Sequence, residues 1–205
     1  MIYIFTDYNK ITSEIEQVLL DKLPPRRKEK AIRFTVQNGR ISCIVSYLLF
    51  LYGYRNLYHM DDTPDFAGEK FEKPYLAEHP EIHFNLSHCN NGCACIMDNC
   101  EVGIDLQEIR KVSLKTFEKI CSVDEISEIQ NSDNPENEFC RIWSYKEAVS
   151  KLTGDGIFRD VSNISSDGIA LHTEYLEPDM YMSYATYENV AQEIVQIRIE
   201  DLLEL

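Results

Sequence analysis

Two carboxylates and a lysine stand where they could act together on a phosphate group. Glu147 and Lys151 are four residues apart in a segment with helical apolar periodicity, so they should share one helix face. Asp105 interrupts the apolar run Val102–Gln107, which is typical of a buried strand, where aspartate is disfavoured. A carboxylate on a strand and one on a helix can jointly hold Mg²⁺, which needs few protein oxygens. The simpler alternatives are a solvated Glu147/Lys151 ion pair and an aspartate that caps a strand end.

Further polar side chains lie on two of the predicted strands. Gln107 should point to the same side as Asp105, because strand side chains alternate with period two. A second apolar strand ends in Asn85, Ser87 and His88, which could contact a bound anion. The alternative is a turn in which Asn85 and Ser87 satisfy their own backbone.

Basic residues are concentrated between positions 22 and 40, where Glu29 is the one acid. This concentration predicts a local anion site in a chain whose formal net charge is −15. A solvated helix face is the alternative interpretation. The basic residues of this segment are Lys22, Arg26, Arg27, Lys28, Lys30, Arg33 and Arg40.

Composition excludes several classes of protein. The net charge of −15 argues against a general nucleic-acid binder. No apolar run reaches the roughly 18 residues of a membrane span, and the first residues lack the pattern of a secretory signal. Seven cysteines, an odd number, favour reduced thiols and a cytoplasmic location.

Four of these cysteines, Cys89, Cys93, Cys95 and Cys100, lie close together beside His88 and suggest zinc as an alternative. The paired C-x2-C knuckles of structural zinc sites are absent from the sequence. Cys93 and Cys95 instead fit alternate positions of one strand.

Periodicity predicts an α+β protein made of two similar halves, residues 1–100 and 101–205. One offset aligns Asp7 with Asp105 and Ser46-Tyr47 with Ser144-Tyr145, and each half begins with a strand, continues with helices and ends with strands. The predicted strands are 2–6, 82–87, 93–97, 101–107, 169–172, 180–184 and 193–199. The predicted helices end near residues 20, 34, 52, 121, 130 and 153.

Four motifs, in order, give the chain a resemblance to the Sfp-type 4′-phosphopantetheinyl transferases. They are Lys73-Pro74, Phe84-Asn85-Leu86-Ser87-His88, Gly103-Ile104-Asp105, and Trp143-Ser144-Tyr145-Lys146-Glu147-Ala148 with Lys151 and Gly154-Asp155-Gly156. The basic segment from Leu23 to Phe34 also resembles one in that family. The family's fold is a pseudo-dimer of two α+β halves, which agrees with the internal repeat.

The resemblance implies transfer of phosphopantetheine from coenzyme A to a serine of a carrier protein, with release of 3′,5′-ADP. By this likeness Asp105 and Glu147 hold Mg²⁺ on the pyrophosphate, and Lys151 neutralises phosphate charge. Glu147, directly or through water, is also the expected general base for the serine hydroxyl. Ser87 and His88 would bind phosphate oxygens. The residues expected to bind the nucleotide are Arg27, Lys30, Arg40 and Lys73.

Two positions depart from the family pattern. Gln107 replaces the usual glutamate; its oxygen can still coordinate the metal but brings no charge, so weaker binding or a preference for Mn²⁺ is expected. Cys89 replaces a common serine, and a thiol is a poorer hydrogen-bond donor.

The expected partner is an apo acyl or peptidyl carrier protein, and the internal pseudo-dimer favours a monomer. No nucleic-acid or membrane partner is expected. Because carrier proteins are often acidic, docking on this acidic chain should depend on an apolar patch or on the basic segment. Two other functions stay open: a non-catalytic module that binds coenzyme A or a carrier protein, and a metal-dependent phosphoesterase.

Overall fold

The computed structural model describes residues 1–68, 72–154, 162 and 164–205, without the side chain of Leu114. Asp155 and Gly156, the end of the fourth motif, lie outside these residues. Seven strands and seven α-helices are present in the described part of the chain. In chain order they are β1 (Ile2–Phe5), α1 (Ser13–Asp21), α2 (Pro25–Ile32), α3 (Gln37–Leu57), β2 (His83–His88), β3 (Cys93–Asp98), β4 (Val102–Glu108), α4 (Leu114–Ile120), α5 (Val123–Asn131), α6 (Pro135–Thr153), β5 (Ala170–Leu176), β6 (Met180–Thr186), β7 (Ile194–Gln196) and α7 (Ile199–Leu203).

The predicted α+β class is confirmed, with the strands in two sheets. The first sheet has the order β2-β3-β1-β7 and the second β4-β6-β5. In the first sheet, β2 and β3 form an antiparallel hairpin, and β3 pairs with β1. In the second sheet, β5 and β6 form an antiparallel hairpin, and β6 pairs with β4. The helices α1 to α3 precede the first hairpin, and α4 to α6 precede the second.

Alternation along the strands separates the core into layers. On β1, Tyr3 and Phe5 pack with α3, whereas Ile2 and Ile4 face the second sheet and contact the cluster that contains Ile104. α6 covers the other face of the second sheet, where its apolar residues pack against β6. The order of layers is therefore α3, first sheet, second sheet, α6.

The end of the chain differs from the strand predicted over 193–199. β7 covers only Ile194–Gln196 and pairs in parallel with β1, and the chain then turns into α7. The backbone N–H of Arg198 donates to Asp201, which caps α7 at 2.8 Å, and Leu202 is buried in the first core cluster. This capping pair stops the strand and starts a helix.

None of the helices in the described ranges is long and apolar enough to cross a bilayer.

Candidate active site

Strand β4 and helix α6 approach closely because Gly103 has no side chain. A Cβ at this position would lie 2.1 Å from the carbonyl oxygen of Ala148 and 2.5 Å from the backbone nitrogen of Leu152. Asp105 lies two residues further along β4, so its side chain is on the same face of the strand as Gly103. The glycine thus allows a strand carboxylate to meet groups on the helix.

Asp105, Lys151 and Ser87 form one hydrogen-bonded cluster. The Lys151 ammonium donates to Asp105 Oδ1 at 2.7 Å and to Ser87 Oγ at 3.0 Å. Ser87 Oγ donates to Asp105 Oδ1 at 2.9 Å and accepts the backbone N–H of Leu106 at 3.0 Å. The salt bridge of Lys151 is therefore with Asp105 on the strand, not with Glu147 on its own helix.

Glu147 lies beside this cluster and is 6% exposed. Burial, reinforced by the negative charge of Asp105 and opposed by Lys151, raises the pKa of Glu147 to about 7. Asp105 Oδ2 and Glu147 Oε1 are both buried, and neither has a hydrogen-bond partner among the described residues. A divalent cation bound by both carboxylates would satisfy these two oxygens and offset the repulsion between their charges.

Gln107 follows Asp105 on the same strand face and is half-buried, with its amide nitrogen 3.3 Å from the carbonyl oxygen of Glu108, to which it donates. In the described residues no three His, Cys, Asp or Glu side chains form a metal-binding group. A metal held by Asp105 and Glu147 would thus complete its shell with neutral oxygens, from Gln107, water or substrate.

A cavity of about 640 Å³ lies next to this cluster and is lined by Arg26, Arg27, Lys30 and His88. We call it the basic cavity; its wall also includes Asp65, which lies 3.7 Å from Arg26. The guanidinium of Arg27 lies over the rings of Phe66 and Tyr47, at 4.8 and 5.5 Å from their centroids. Its Nε is buried without a partner among the described residues, so Arg27 is held rigidly with a donor still available.

Arg40 and Lys73, also predicted to grip a nucleotide, are not among the residues that line the basic cavity. Arg40 forms an ion pair with the buried Glu16 of α1. Lys73 lies 2.5 Å from Glu101 and donates to the carbonyl oxygen of Val102 at 2.8 Å. Each of these two cations is already neutralised by a carboxylate of the chain.

A smaller cavity of about 310 Å³ adjoins the basic cavity and shares Gly39, Ser42 and His88 with it. Gln107 and Arg110 lie on its far wall. Burial lowers the pKa of the His88 ring, and the positive charge of Lys151 lowers it further. His88 therefore lies at the junction of both cavities, close enough to Lys151 and Asp105 for their charges to act on it.

Sequence reasoning assigned no role to Lys146, which is 1% exposed. Its ammonium pairs with Glu125 at 2.6 Å and donates to the carbonyl oxygens of Ile120 and Ser162. Glu125 also accepts from the hydroxyl of Tyr145 and caps α5. The sequence signal that could have revealed this role is the position of Lys146, directly before Glu147 in a largely apolar stretch of α6. Its contacts anchor α6 to α5.

Two buried carboxylates with open oxygens, beside a lysine and a cation-lined cavity, define a site suited to transfer of a phosphate-linked group. Residues 101–195 match the family model described as the 4′-phosphopantetheinyl transferase superfamily. This segment contains Asp105, Glu147 and Lys151. This match covers just under half of the chain and agrees with the resemblance seen in the sequence.

Curated relatives agree with the family match. The 4′-phosphopantetheinyl transferase psf-1 of Bacillus pumilus is 34% identical over 150 residues, which are 64% of each chain. The 4′-phosphopantetheinyl transferase Sfp of Bacillus subtilis is 25% identical over 167 residues, 80% of this chain and 73% of that protein. The 4′-phosphopantetheinyl transferase HetI of Nostoc sp. is 37% identical over 100 residues, which are 45% of this chain and 42% of that protein. The alignment with psf-1 thus spans just under two thirds of that relative's length.

Proposed function

We propose that the chain transfers the 4′-phosphopantetheine group of coenzyme A to a serine hydroxyl of an acyl or peptidyl carrier protein. The serine oxygen forms a bond to the phosphorus that bears pantetheine, and the bond from that phosphorus to the bridging pyrophosphate oxygen breaks. The serine proton passes to a base, and 3′,5′-ADP leaves. The relatives' names support this activity.

The observation that supports it best is the buried pair Asp105 and Glu147, each with an oxygen that lacks a partner among the described residues. This pair adjoins Lys151 and lies beside the basic cavity, where Arg27 and Lys30 could neutralise a nucleotide. Phosphoryl transfer requires mainly alignment and positive charge, and this arrangement offers both.

Asp105, Glu147 and Gln107 are the proposed holders of Mg²⁺, or of Mn²⁺, as the unpartnered oxygens suggest. The metal would offset charge on the pyrophosphate and the leaving group. Lys151 uses two of its three N–H donors on Asp105 and Ser87, which leaves one for a phosphate oxygen. Glu147 would accept the serine proton, directly or through a water, because its carboxylate lies buried beside Asp105 and Lys151.

Arg27, Lys30 and His88 are the proposed contacts of the nucleotide and its phosphates, because all three line the basic cavity. Ser87 is proposed to act on phosphate mainly by orienting Lys151, given that its hydroxyl is engaged within the cluster. Arg40 and Lys73 would contribute only after exchanging their carboxylate partners for phosphate.

We further propose that residues 1–100 and 101–205 form a pseudo-dimer and that the protein acts as a monomer. The equal order of three helices and a hairpin around β1 and β4 supports this division, although β7 returns to the first sheet. All seven cysteines are free, which is consistent with a reducing cytoplasm.

The direct test is the mass of an apo carrier protein after incubation with the chain, coenzyme A and Mg²⁺. A phosphopantetheine increment is expected, and its absence across acyl and peptidyl carriers would overturn the proposal. Binding without an increment would favour a non-catalytic module. Release of free phosphopantetheine without a carrier would indicate a phosphoesterase.

The substitution Glu147→Gln keeps the shape of the side chain but removes the base and a metal charge. We expect turnover to fall at least a hundredfold, while the dissociation constant of coenzyme A measured without metal changes only a few fold. Glu118→Gln, at an exposed position of α4, is the matched control and should leave both quantities unchanged. A Glu147→Gln enzyme with full turnover would exclude the assigned role.

A further inference from the structure

Seven consecutive residues, Ile32–Asn38, are exposed from the last residue of α2 to the first turn of α3, and we call them the α2–α3 rim. Three of its members are large apolar side chains: Ile32 is 58%, Phe34 39% and Val36 68% exposed. Single exposed apolar residues are ordinary on a protein surface, but three within five positions are a feature that marks interaction sites.

The rim lies at the mouth of the candidate active site. Phe34 lines the basic cavity, and its ring is 2.9 Å from the Cβ position of Gly39, one of the three residues shared by both cavities. Asn38 donates to the carbonyl oxygen of Asn90 at 3.3 Å and lines the adjoining cavity. A macromolecule seated on the rim would therefore stand directly beside the reacting groups.

The charge of the rim is opposite to that of the whole chain. Arg33 belongs to the rim, with its side chain 80% exposed and only a 4.0 Å contact to Glu29. Arg26, at the start of α2, is 84% exposed and lies 3.7 Å from Asp65. The chain as a whole carries −15. An anionic protein surface would be repelled by most of this molecule and attracted here.

The start of α3 adds to this positive field. Val36 is the N-cap residue of the 21-residue helix α3, and its side chain makes no capping hydrogen bond. Valine is a poor N-cap because it has no side-chain acceptor for the first N–H groups of the helix. A locally unfavourable residue at an exposed position is expected where a surface serves a partner.

We propose that the α2–α3 rim is the docking surface for the carrier protein, with Ile32, Phe34 and Val36 as the apolar contacts. The partner's complementary face carries an apolar residue surrounded by carboxylates. This inference rests on the proposed function and assigns the surface through which that partner reaches the adjoining cavity. Docking there would deliver a serine to the junction at His88.

The test compares steady-state transfer by the intact chain with that of Ile32→Ser/Val36→Ser, which removes apolar contact without changing charge. We expect kcat/KM for the carrier to fall about tenfold, mainly through its KM, with the KM for coenzyme A within twofold. Serine is a good N-cap, so the thermal midpoint should not fall, which separates lost docking from lost folding. The control Val18→Ser/Val190→Ser, at residues 48% and 54% exposed, should match the unaltered chain.

Charge is tested separately with Arg33→Glu. Its kcat/KM for the carrier should fall at low salt and approach the unaltered value at high salt, whereas Lys115→Glu, at another exposed position, should show neither effect. Unchanged kinetics of Ile32→Ser/Val36→Ser overturn the docking proposal alone. Absence of transfer by the unaltered chain overturns the function and the docking together. A change of oligomeric state without a change in kinetics would assign the rim to a second copy of the chain and overturn the proposal.

Discussion

At the scale of single residues, the hydroxyl of Ser87 organises the site. It donates to Asp105 and accepts from Lys151 and from the backbone of Leu106, so its one proton and two lone pairs are all used. This engagement holds the strand carboxylate and the helix ammonium in one orientation. The open oxygens of Asp105 and Glu147 are then the groups left to bind a ligand.

The raised pKa of Glu147 predicts a pH-dependent stability of the metal-free protein. The folded state keeps the proton up to about pH 7, whereas the unfolded chain releases it near pH 4.5, the ordinary pKa of a glutamate. The stabilisation from this proton is thus present at low pH and is lost as pH rises through 7, by at most about 3 kcal/mol.

Glu147→Gln should therefore unfold at higher denaturant concentration than the unaltered chain at pH 8, with the difference shrinking toward pH 5. Urea unfolding in the presence of a chelator measures this. Added Mg²⁺ should stabilise the unaltered chain and not the variant. An unaltered chain that is the more stable one at pH 8 without metal would show that Glu147 is not held as the structure implies.

Gln107 predicts a weak metal site. Replacement by glutamate adds a third negative charge to the set formed with Asp105 and Glu147. The Mg²⁺ concentration for half-maximal transfer should fall about tenfold, because charged ligands strengthen the binding of hard cations. Glu108→Gln, on the next residue, controls for charge near the strand end. A metal requirement that does not change in Gln107→Glu would place residue 107 outside the coordination shell.

At the scale of elements, the contact of β4 with α6 decides whether the two carboxylates meet. Lys146 anchors α6 to α5 through Glu125, and Gly103 lets the strand approach the helix backbone. Neither residue touches a substrate in the proposed reaction. Both hold Glu147 and Asp105 close enough for the charge of Asp105 to raise the pKa of Glu147.

Gly103→Ala tests this approach. Its methyl group would lie 2.1 Å from a backbone carbonyl oxygen, so strand and helix must separate. We expect a loss of about 1–3 kcal/mol or more in unfolding free energy, together with weaker Mg²⁺ binding. Gly154→Asn is the control, since nothing lies within 4 Å and asparagine tolerates the left-handed φ of 74° there. Equal stability of Gly103→Ala and the unaltered chain would contradict the packing described.

At the scale of the whole molecule, the end of the chain closes the first sheet. β7 pairs with β1, and Leu202 of α7 is completely buried. The C-terminal segment therefore packs against the first strand and the first core cluster of the chain. The chain carries a formal net charge of −15, whereas Arg26, Arg27 and Lys30 line the basic cavity, which suits a substrate carrying phosphates.

Leu202→Ala should cost about 2–5 kcal/mol, because it leaves a cavity in the core of the half that contains the first sheet. Leu203→Ala, at a half-buried neighbour, should cost clearly less. Denaturant unfolding followed by fluorescence measures both. A cost for Leu202→Ala no larger than that for Leu203→Ala would mean that α7 does not pack as the structure shows.

Most of the local elements were predictable from the sequence. Period-two and period-3.6 patterns identified most strands and helices, since each pattern reflects which face of an element is buried. The motifs with Asp105, Glu147 and Lys151 indicated phosphate chemistry and a resemblance to the family whose model matches residues 101–195. The short helix α7 was missed, because five residues are too few for a helical period to be distinguished from alternation.

Only the tertiary structure decided which charges meet. Lys151 pairs with Asp105 rather than with its helix neighbour Glu147, while Arg40 and Lys73 are paired with Glu16 and Glu101. Sequence spacing defines neighbours within one element, but an ion pair depends on distances between elements that are far apart in the chain. For the same reason the shared wall of the two cavities, and the exposed rim beside it, emerged only when the sheets and helices were packed together.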